Sequence, residues 1–341
     1  MEGYLTHRNI KLFLLQQRAL VVAFLRLITT ALLAQFLIIK KGCGEAMNFG
    51  QVLTAMVTPF DHNEEIDFPA TRNLINYLIA NGTEGLVVSG TTGESPTLTE
   101  TEKLQLFKFT VEVVNGRVPV IAGTGSYNTK ASIELTKLAE DAGVDGIMLV
   151  APYYSKPSQE GLYQHFKTIA EVTSLPIMLY NIPGRSVVNM SVETVIRLSN
   201  IPNIVSIKEA SGNLDAMAEI IDGTPDDFSL YSGDDGLTIP VLSIGGTGIV
   251  SVASHVIGNE MQRMITNFRS GNIQEAAREH RRLLPIMKAL FAAPNPSPVK
   301  AALNIKGIPV GLVRLPMIPL NDEELDTLQS VLATQQEKVN S

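Results

Sequence analysis

Residues 118–151 read VPVIAGTGSYNTKASIELTKLAEDAGVDGIMLVA, and this stretch contains the unit that decides the fold. Its two apolar runs, 118–122 and 146–151, are rich in Val, Ile and Leu, as strands buried on both faces require. Between them, residues 129–142 carry apolar side chains at helical spacing. The stretch therefore predicts a strand, a helix and a second strand parallel to the first.

The same alternation repeats along the chain from Met47 onward. Eight apolar runs are separated by longer stretches of helical pattern, and the runs are 51–58, 85–89, 118–122, 146–151, 176–180, 204–208, 228–232 and 247–252. Eight strand–helix repeats predict an α/β protein with a (β/α)₈ TIM barrel. An open, doubly wound sheet is the alternative, but it usually has fewer strands, and no GxGxxG follows the first run.

After the eighth run the pattern is helical only, so we expect additional C-terminal helices packed on the barrel. We divide the chain into an N-terminal extension at 1–46, the barrel at 47–270 and a C-terminal helical segment at 271–341. The extension carries a net charge of +4 and the remainder −11, which sets the extension apart from the barrel.

The N-terminal extension contains a long apolar run, ALVVAFLRLITTALLAQFLII, at residues 19–39. A helix of that length spans about 31 Å, enough to cross a bilayer. Arg26 interrupts it near the middle, where a charge costs about 3 kcal/mol on insertion scales. A dispensable extension outside the functional domain, a membrane anchor and a targeting peptide are the three interpretations, and we favour the first. Membrane association is therefore not expected.

Composition excludes several classes of protein. Hydrophobic residues make up 45% of the chain, which excludes a disordered protein. The single cysteine, Cys43, excludes an intramolecular disulfide and a multi-cysteine metal site. The net charge of −7 and the absence of Trp give no indication of a nucleic-acid surface. The five histidines are scattered without HExxH spacing, so we expect no metal.

Lys208 ends the sixth apolar run, directly after Ile204, Val205, Ser206 and Ile207. Active sites of such barrels lie at the C-terminal ends of the strands. A lysine at this place loses hydration, which favours its neutral amine and suits Schiff-base chemistry with a carbonyl substrate. A structural ion pair with Glu209 is the alternative.

Further polar residues follow other runs. Tyr180 ends the fifth run and could relay protons, although a tyrosine packed in the barrel wall is the alternative. The loop GTTGES at 90–95 could hold a carboxylate with its hydroxyls and N–H groups, or could simply cap the next helix. Arg185 could bind a carboxylate in fork geometry, or could be a surface arginine.

Two further patterns carry weaker signals. Residues 245–248 read GGTG, but they precede the eighth run, whereas barrel phosphate sites usually follow strands seven and eight. Asp234 and Asp235 could bind a cation, although acidic residues at a helix N-terminus explain them more simply.

The motifs in their order resemble those of the dihydrodipicolinate synthase family, within the pyruvate-dependent aldolase group that includes N-acetylneuraminate lyase. The motifs are GTTGES (90–95), PYY with PSQEGLYQHF (152–166), YNIPGRS (180–186), IKEASGN (207–213), SGDD (232–235) and PNPSPVK (294–300). The resemblance extends from about Met47 to at least Pro319. Together these motifs favour the catalytic interpretation of Lys208.

The resemblance implies roles for the catalytic residues. Lys208 forms an imine with the keto carbon of pyruvate, and Tyr180 donates and accepts protons. Thr91 links Tyr180 to Tyr154, which in this family comes from the neighbouring subunit.

The resemblance also implies roles in substrate binding. Thr91 and Thr92 hold the pyruvate carboxylate, with the backbone near Val250 assisting. Arg185 binds the carboxylate of aspartate semialdehyde, and Gly233 lies beside the substrate.

The implied reaction condenses pyruvate with L-aspartate 4-semialdehyde to 4-hydroxy-tetrahydrodipicolinate, the first committed step of the diaminopimelate and lysine pathway. The resemblance implies a lyase without a cofactor beyond the substrate imine, assembled as a cytoplasmic homotetramer of two tight dimers. The alternative is a sugar-acid lyase or aldolase of the same group. Arg185 favours the first reaction, because sugar-acid lyases generally lack an arginine there.

The sequence departs from members of the family that lysine inhibits. Those members typically carry histidines in the helix after GTTGES and an acid after GTG, where this chain has Glu100, Lys103 and Ala131. A cation at Lys103 would repel a lysine ligand. We therefore expect weak or absent inhibition by lysine.

Overall fold

Eight parallel strands pair in sequence order and close into a barrel. The strands are β1 Val52–Ala55, β2 Gly85–Val88, β3 Val120–Gly123, β4 Gly146–Val150, β5 Ile177–Asn181, β6 Ile204–Glu209, β7 Ser229–Ser232 and β8 Gly248–Ser251. The pairing of β1 with β8, with Leu53 opposite Val250, completes the closure. This confirms the predicted (β/α)₈ barrel, and each strand lies within one residue of its predicted run.

The computed structural model describes residues 49–340, with side chains to residue 334. The three interpretations of segment 1–46 lie outside the described residues. The residues from Phe49 onward form one unit, so the division between 47–270 and 271–341 stays a prediction.

Helices follow the strands around the barrel, and further helices complete the chain. They are α1 Phe68–Ala80, α2 Glu100–Val114, α3 Thr129–Asp141, α4 Gln159–Ala170, α5 Pro183–Ser186, α6 Val192–Ser199, α7 Leu214–Gly223, α8 Thr238–Ser243, α9 Ser254–Arg269, α10 Ile273–Ala289, α11 Ser297–Ile305 and α12 Asp322–Asn340. The strands are buried almost throughout because helices cover the outside and side chains fill the inside. None of the helices within 49–340 has both the length and the apolar character needed to cross a bilayer.

Local sequence signals fix where helices begin. The Thr99 hydroxyl accepts a hydrogen bond from the Glu102 N–H at 3.2 Å, and the Glu102 carboxylate accepts one from the Thr99 N–H at 2.8 Å. This capping box starts α2 after the GTTGES loop and the short 3-10 turn Ser95–Thr97. Ser191 likewise caps α6, accepting from the N–H of Thr194.

The bottom of the barrel, at the N-terminal ends of the strands, is closed by Phe49. Phe49 is buried, and a Cβ added at Gly146 would lie 2.9 Å from its ring. A Cβ at Gly85 would lie 3.0 Å from the carbonyl oxygen of Phe49. Glu84 accepts hydrogen bonds from the N–H groups of Gln51 and Val52, at 2.5 and 3.0 Å. This end of the barrel is therefore close-packed, and the Glu84 carboxylate has hydrogen-bond partners.

The predicted C-terminal helices are present. Helix α10 packs on α9, and α12 packs on both α10 and α11. Between α11 and α12, residues 309–319, here called the C-terminal strap, have no helix or strand. The strap lies against the segment after β1, where the N–H of Phe60 donates to the carbonyl of Val310 at 3.2 Å. Gly311 has φ +67°, and a Cβ there would collide with the Phe60 carbonyl oxygen, so only glycine fits.

Candidate active site

Lys208 lies at the mouth of the barrel, where β6 ends. Its side chain is only 6% exposed, and its neighbours across the sheet are Tyr180 on β5 and Tyr231 on β7. The Lys208 Nζ lies 4.2 Å from the centre of the Tyr180 ring, a cation–π distance. The two residues that the sequence singled out on strands five and six are therefore in contact.

Glu209 does not provide the ion pair considered for Lys208. Successive side chains of a strand point to opposite faces, and the Glu209 carboxylate accepts hydrogen bonds from Asn181 Nδ2 at 2.9 Å and the Ser211 N–H at 2.7 Å. Burial raises the pKa of Glu209, while these hydrogen bonds oppose that change. Glu209 thus fixes the backbone after Lys208.

Gly233 packs directly against the lysine. A Cβ at Gly233 would lie 3.1 Å from Lys208 Cε and 2.7 Å from the Ala210 Cβ, and the Gly233 N–H donates to the Glu209 carbonyl at 2.7 Å. Val250 is buried in the barrel interior beneath the mouth, in the same cluster as Tyr180 and Tyr231. Burial raises the pKa of the Tyr231 phenol, which keeps it protonated. The structure therefore brings Gly233 to Lys208 and leaves Val250 as part of the wall.

A hollow of about 230 Å³ opens next to Tyr180. Thr91, Tyr180 and Arg185 line it, together with Ser89 and Tyr153. Thr91 belongs to the loop Gly90–Ser95, Tyr180 to β5 and Arg185 to the single turn α5, so a hydroxyl, a phenol and a guanidinium from a loop, a strand and a helical turn converge here. A hollow of this size fits a small polar substrate.

Thr92 is buried behind Thr91. Its Oγ1 accepts a hydrogen bond from Asn295 Nδ2 at 3.0 Å, and Asn295 is itself buried. Because the hydroxyl oxygen is occupied as an acceptor, the Thr92 O–H remains able to donate.

Tyr154 does not line the hollow within one chain. It is 92% exposed and has φ +66°, which is unusual for a tyrosine. Its neighbour Tyr153 lines the hollow instead and packs edge-on against Tyr127, with ring centres 5.3 Å apart. Within a single chain, Tyr154 is therefore separate from the other predicted site residues.

Three residues near the site, Ser89, Tyr153 and Asn295, could not be chosen from the sequence. Ser89 has φ +56°, and its buried hydroxyl lacks a hydrogen-bond partner among the described residues. Asn295 lies in PNPSPVK and Tyr153 in PYY, but neither motif indicates a role for these two residues. The only sequence signal for Asn295 is its place in PNPSPVK.

The remaining candidate patterns are structural. Asp235 accepts hydrogen bonds from the Ser251 hydroxyl and the Ala253 N–H, at 2.5 and 2.9 Å, and Asp234 caps the short turn that follows it. Gly246 and Gly248 lie at the bottom of the barrel, where added Cβ atoms would fall 2.4 Å from Val241 and 2.2 Å from Gln51. These glycines allow close packing and form no phosphate cup at the mouth.

His255, near the end of β8, is also engaged structurally. His255 accepts a hydrogen bond from the Val57 N–H at 3.1 Å through Nε2, and its Nδ1 lies 2.8 Å from the Val252 carbonyl. Burial lowers the pKa of His255 to about 4, so the ring is neutral. Within residues 49–340, no three His, Cys, Asp or Glu side chains cluster as metal ligands.

The fold and site define a TIM-barrel enzyme with a buried lysine at its mouth. The family model described as the dihydrodipicolinate synthetase family matches residues 48–335. The chain belongs to this family.

Individual relatives agree with the family. The chain is 65% identical over 289 residues to 4-hydroxy-tetrahydrodipicolinate synthase 1 of Halalkalibacterium halodurans, covering 85% of this chain and 98% of the relative. It is 62% identical to the 4-hydroxy-tetrahydrodipicolinate synthase of Bacillus subtilis, covering 84% and 99%. The crystal structure of a dihydrodipicolinate synthase from Bacillus anthracis superposes with a TM-score of 0.83 at 62% identity, covering 84% and 98%.

Proposed function

We propose that this enzyme condenses pyruvate with L-aspartate 4-semialdehyde to 4-hydroxy-tetrahydrodipicolinate through an imine on Lys208. High identity over nearly the whole length of the named synthases supports the overall reaction. The observation that carries the mechanism is the buried Lys208 amine in contact with the Tyr180 ring, beside a hollow that Thr91 and Arg185 line.

The first half of the reaction makes pyruvate a nucleophile. After it gives up a proton, the Lys208 amine adds to the keto carbon, and the keto oxygen leaves as water, so a C=N bond replaces the C=O bond. The imine withdraws electrons, so a methyl proton can leave to give an enamine. The substrate imine is the electron sink, and the proposed reaction needs no further cofactor.

The second half forms the new carbon–carbon bond. The enamine carbon attacks the aldehyde carbon of the semialdehyde, and the aldehyde oxygen takes up a proton to become the hydroxyl. The amino group of the former semialdehyde then attacks the imine carbon, which closes the ring and releases the Lys208 amine. One water is lost for each pair of substrates.

Hydroxyl groups of the Gly90–Ser95 loop are assigned to the pyruvate carboxylate. Thr91 lines the hollow, and the bond from Asn295 leaves the Thr92 O–H available to donate. Fixed donors of this kind need no reorganisation when charge develops during the reaction.

Tyr180 is assigned the proton transfers, and Tyr154 of a neighbouring subunit is assigned to complete the relay through Thr91. The 92% exposure of Tyr154 supports this assignment, because a large aromatic side chain so exposed in one chain is available to a second copy. This exposure supports a dimer whose two copies complete each other's sites. A homotetramer of two such dimers and a cytoplasmic location are proposed from the family resemblance.

Arg185 is assigned the carboxylate of the semialdehyde, which distinguishes this reaction from that of a sugar-acid lyase. Its side chain lines the hollow at the edge facing solvent, where a second substrate would enter. The guanidinium can hold a carboxylate through two parallel hydrogen bonds. A preference for aspartate semialdehyde over sugar aldehydes in steady-state kinetics is the expected result.

Trapping with borohydride tests the mechanism. Wild-type enzyme incubated with pyruvate and borohydride should gain the mass of one reduced pyruvate adduct per chain, located on Lys208 by peptide mass spectrometry. Lys208→Ala should gain none. An adduct that persists in Lys208→Ala would overturn the assignment of the nucleophile, and no adduct in the wild type would overturn the imine mechanism.

A further inference from the structure

Glu94, within the Gly90–Ser95 loop, forms a buried ion pair with the C-terminal part of the chain. Its Oε1 lies 2.7 Å from Lys300 Nζ, and both side chains are 2% exposed. Its Oε2 accepts a hydrogen bond from the Arg314 N–H of the C-terminal strap at 2.9 Å. A buried charge pair is costly unless its remaining hydrogen bonds are satisfied, so such a pair specifies one arrangement of the segments it joins.

The two cations hold the strap on the barrel. Lys300 Nζ also donates to the Leu312 carbonyl at 2.7 Å and lies 4.2 Å from the centre of the Phe60 ring. The Arg314 guanidinium lies at the same distance from that ring. Burial lowers the pKa of Lys300 to about 8, and the Glu94 carboxylate opposes this change, so the amine stays charged at neutral pH.

Arg314 also binds the end of the loop region. Its guanidinium donates to the Thr97 carbonyl at 3.1 Å and pairs with Glu102, the capping-box residue of α2, at 2.5 Å. One strap residue therefore contacts both the end of the GTTGES segment and the helix that follows it.

The backbone of Glu94 connects this network to the threonines. Glu94 adopts φ +57°, a conformation that costs a non-glycine residue about 1 kcal/mol, and its N–H donates to the Thr91 carbonyl at 3.1 Å. Thr91 and Thr92 therefore lie within a turn that Glu94 closes. Displacing the Glu94 side chain would open this turn.

We propose that Glu94, Lys300 and Arg314 form a positioning network, through which the C-terminal strap holds Thr91 and Thr92 in the conformation that binds the pyruvate carboxylate. The inference rests on the proposed function. The described contacts of the network are with the β2 loop, the start of α2, the segment after β1 and the strap. Tyr180 and Lys208 lie on other strands, so the network acts first on pyruvate binding, and it acts on the proton transfers only through the Thr91 step of the proposed relay.

The first test is Glu94→Gln, which keeps the shape of the side chain and removes its charge. The KM for pyruvate should rise about tenfold, equivalent to ~1.4 kcal/mol. The KM for aspartate semialdehyde should stay within about twofold, and kcat should fall by less than the tenfold rise in the pyruvate KM, through the displaced Thr91 of the proposed relay. Arg314→Lys, which keeps the charge and the backbone contact but loses the guanidinium bonds, should raise the pyruvate KM about threefold.

A double variant of Glu94 and Lys300 tests whether the two residues act through their ion pair. Lys300→Met should raise the pyruvate KM at least as much as Glu94→Gln, because it leaves a buried carboxylate without its cation. The double variant should be less impaired than the sum of the two single changes, since neither charge is then left unpaired.

Glu279→Gln is the matched control. Glu279 pairs with Arg263 between α9 and α10, and its side chain is 7% exposed, but it lies away from the loop. Its loss should lower stability without moving the pyruvate KM. If Glu94→Gln also lowers the melting temperature while both KM values stay unchanged, the network is merely structural and the inference is overturned.

Borohydride trapping at increasing pyruvate separates this inference from the proposed function. The pyruvate concentration for half-maximal trapping should rise about tenfold in Glu94→Gln. A wild type that traps no pyruvate overturns the proposed mechanism and this inference with it. A wild type that traps pyruvate, alongside a Glu94→Gln variant with the same half-saturation, overturns this inference alone.

Discussion

The two ends of the barrel use the same eight strands for opposite purposes. At the bottom, Phe49 fills the opening, Gly85 and Gly146 let it fit, and the Glu84 carboxylate is satisfied by backbone N–H groups. At the mouth, a buried lysine lies without an ion pair among the described side chains, and the Ser89 hydroxyl has no partner there.

This difference separates stability from function along each strand. Polar groups that already have hydrogen-bond partners within the protein add to stability and cannot bind a ligand. Polar groups without such partners at the mouth remain available to a substrate. Substitutions at the bottom should therefore change the free energy of unfolding, and those at the mouth should change catalysis.

The largest effect is expected at the mouth, from Tyr154→Phe. If Tyr154 completes the relay of a neighbouring subunit, removing its hydroxyl should lower kcat about 10³-fold, within the range of general acid–base catalysis. Because the side chain is exposed, the melting temperature should hardly change. Steady-state kinetics and a thermal melt measure the two quantities.

Hybrid assemblies show whether the tyrosine acts across subunits. Co-expression of Tyr154→Phe with Lys208→Ala should restore about a quarter of the wild-type activity, because one site in each mixed dimer has both residues intact. Activity that stays at the level of either variant would show that each chain uses its own Tyr154.

His255 lies at the mouth end of the barrel, but both of its ring nitrogens are used in contacts with the backbone. It should therefore affect stability, as residues at the bottom do, and not catalysis. An unfolded histidine has a pKa near 6.5, and the buried ring of His255 has a pKa of about 4. The unfolded chain thus binds more protons between these values, and the free energy of unfolding is retained above pH 6.5 and falls as the pH drops towards 4. His255 accounts for roughly 3 kcal/mol of that loss.

Urea unfolding of wild type and His255→Gln between pH 4 and 7 measures this contribution. Glutamine can accept from the Val57 N–H and donate to the Val252 carbonyl but does not titrate, so the dependence on pH should be shallower. His165, whose pKa burial also lowers to about 4, is unchanged in both proteins. Parallel curves for the two proteins would contradict the prediction.

At the bottom, Gly146→Ala should destabilise the enzyme without altering catalysis. The added methyl group would meet the Phe49 ring at 2.9 Å, and overpacking of this kind costs about 1–3 kcal/mol. The value of kcat/KM per folded molecule should match the wild type. A loss of kcat/KM would show that the two ends are coupled.

The smallest effect concerns regulation, where we expect L-lysine to change activity by less than about twofold at millimolar concentration. Lys103 is half-buried on α2, and burial lowers its pKa while Glu100 opposes this change. Lys103→His, which introduces the residue type of lysine-inhibited members, is the comparison variant. Inhibition of the wild type by low-millimolar lysine in the condensation assay would disprove the expectation.

The barrel could be predicted from the sequence because its strands are buried on both faces. A run such as 146–151 must then be apolar throughout, and its spacing from the next run leaves room for one helix. The position of Lys208 near the mouth followed from the same pattern, because active sites of such barrels lie at the C-terminal ends of the strands. The choice between a Schiff-base lysine and an ion pair with Glu209 did not follow from it and was favoured only by the family resemblance.

Long-range contacts at the site could not be predicted in this way. Asn295 reaches Thr92 across 203 residues of sequence, and Glu94 meets Lys300 across a similar distance. The left-handed backbone of Ser89 carries no signal, because position 89 is a serine and not a glycine or asparagine. The exposure of Tyr154 likewise depends on the fold around it.

Closure of the barrel also governs the order in which a newly made chain can fold. Thr54 on β1 bonds to Ser254 just after β8, 200 residues later. At roughly 5–20 residues per second, translation leaves β1 without its second partner for about 10–40 s. During that time the β1 edge is free to pair with other chains, so the yield of native enzyme should depend on keeping nascent chains apart until the eighth strand has left the ribosome.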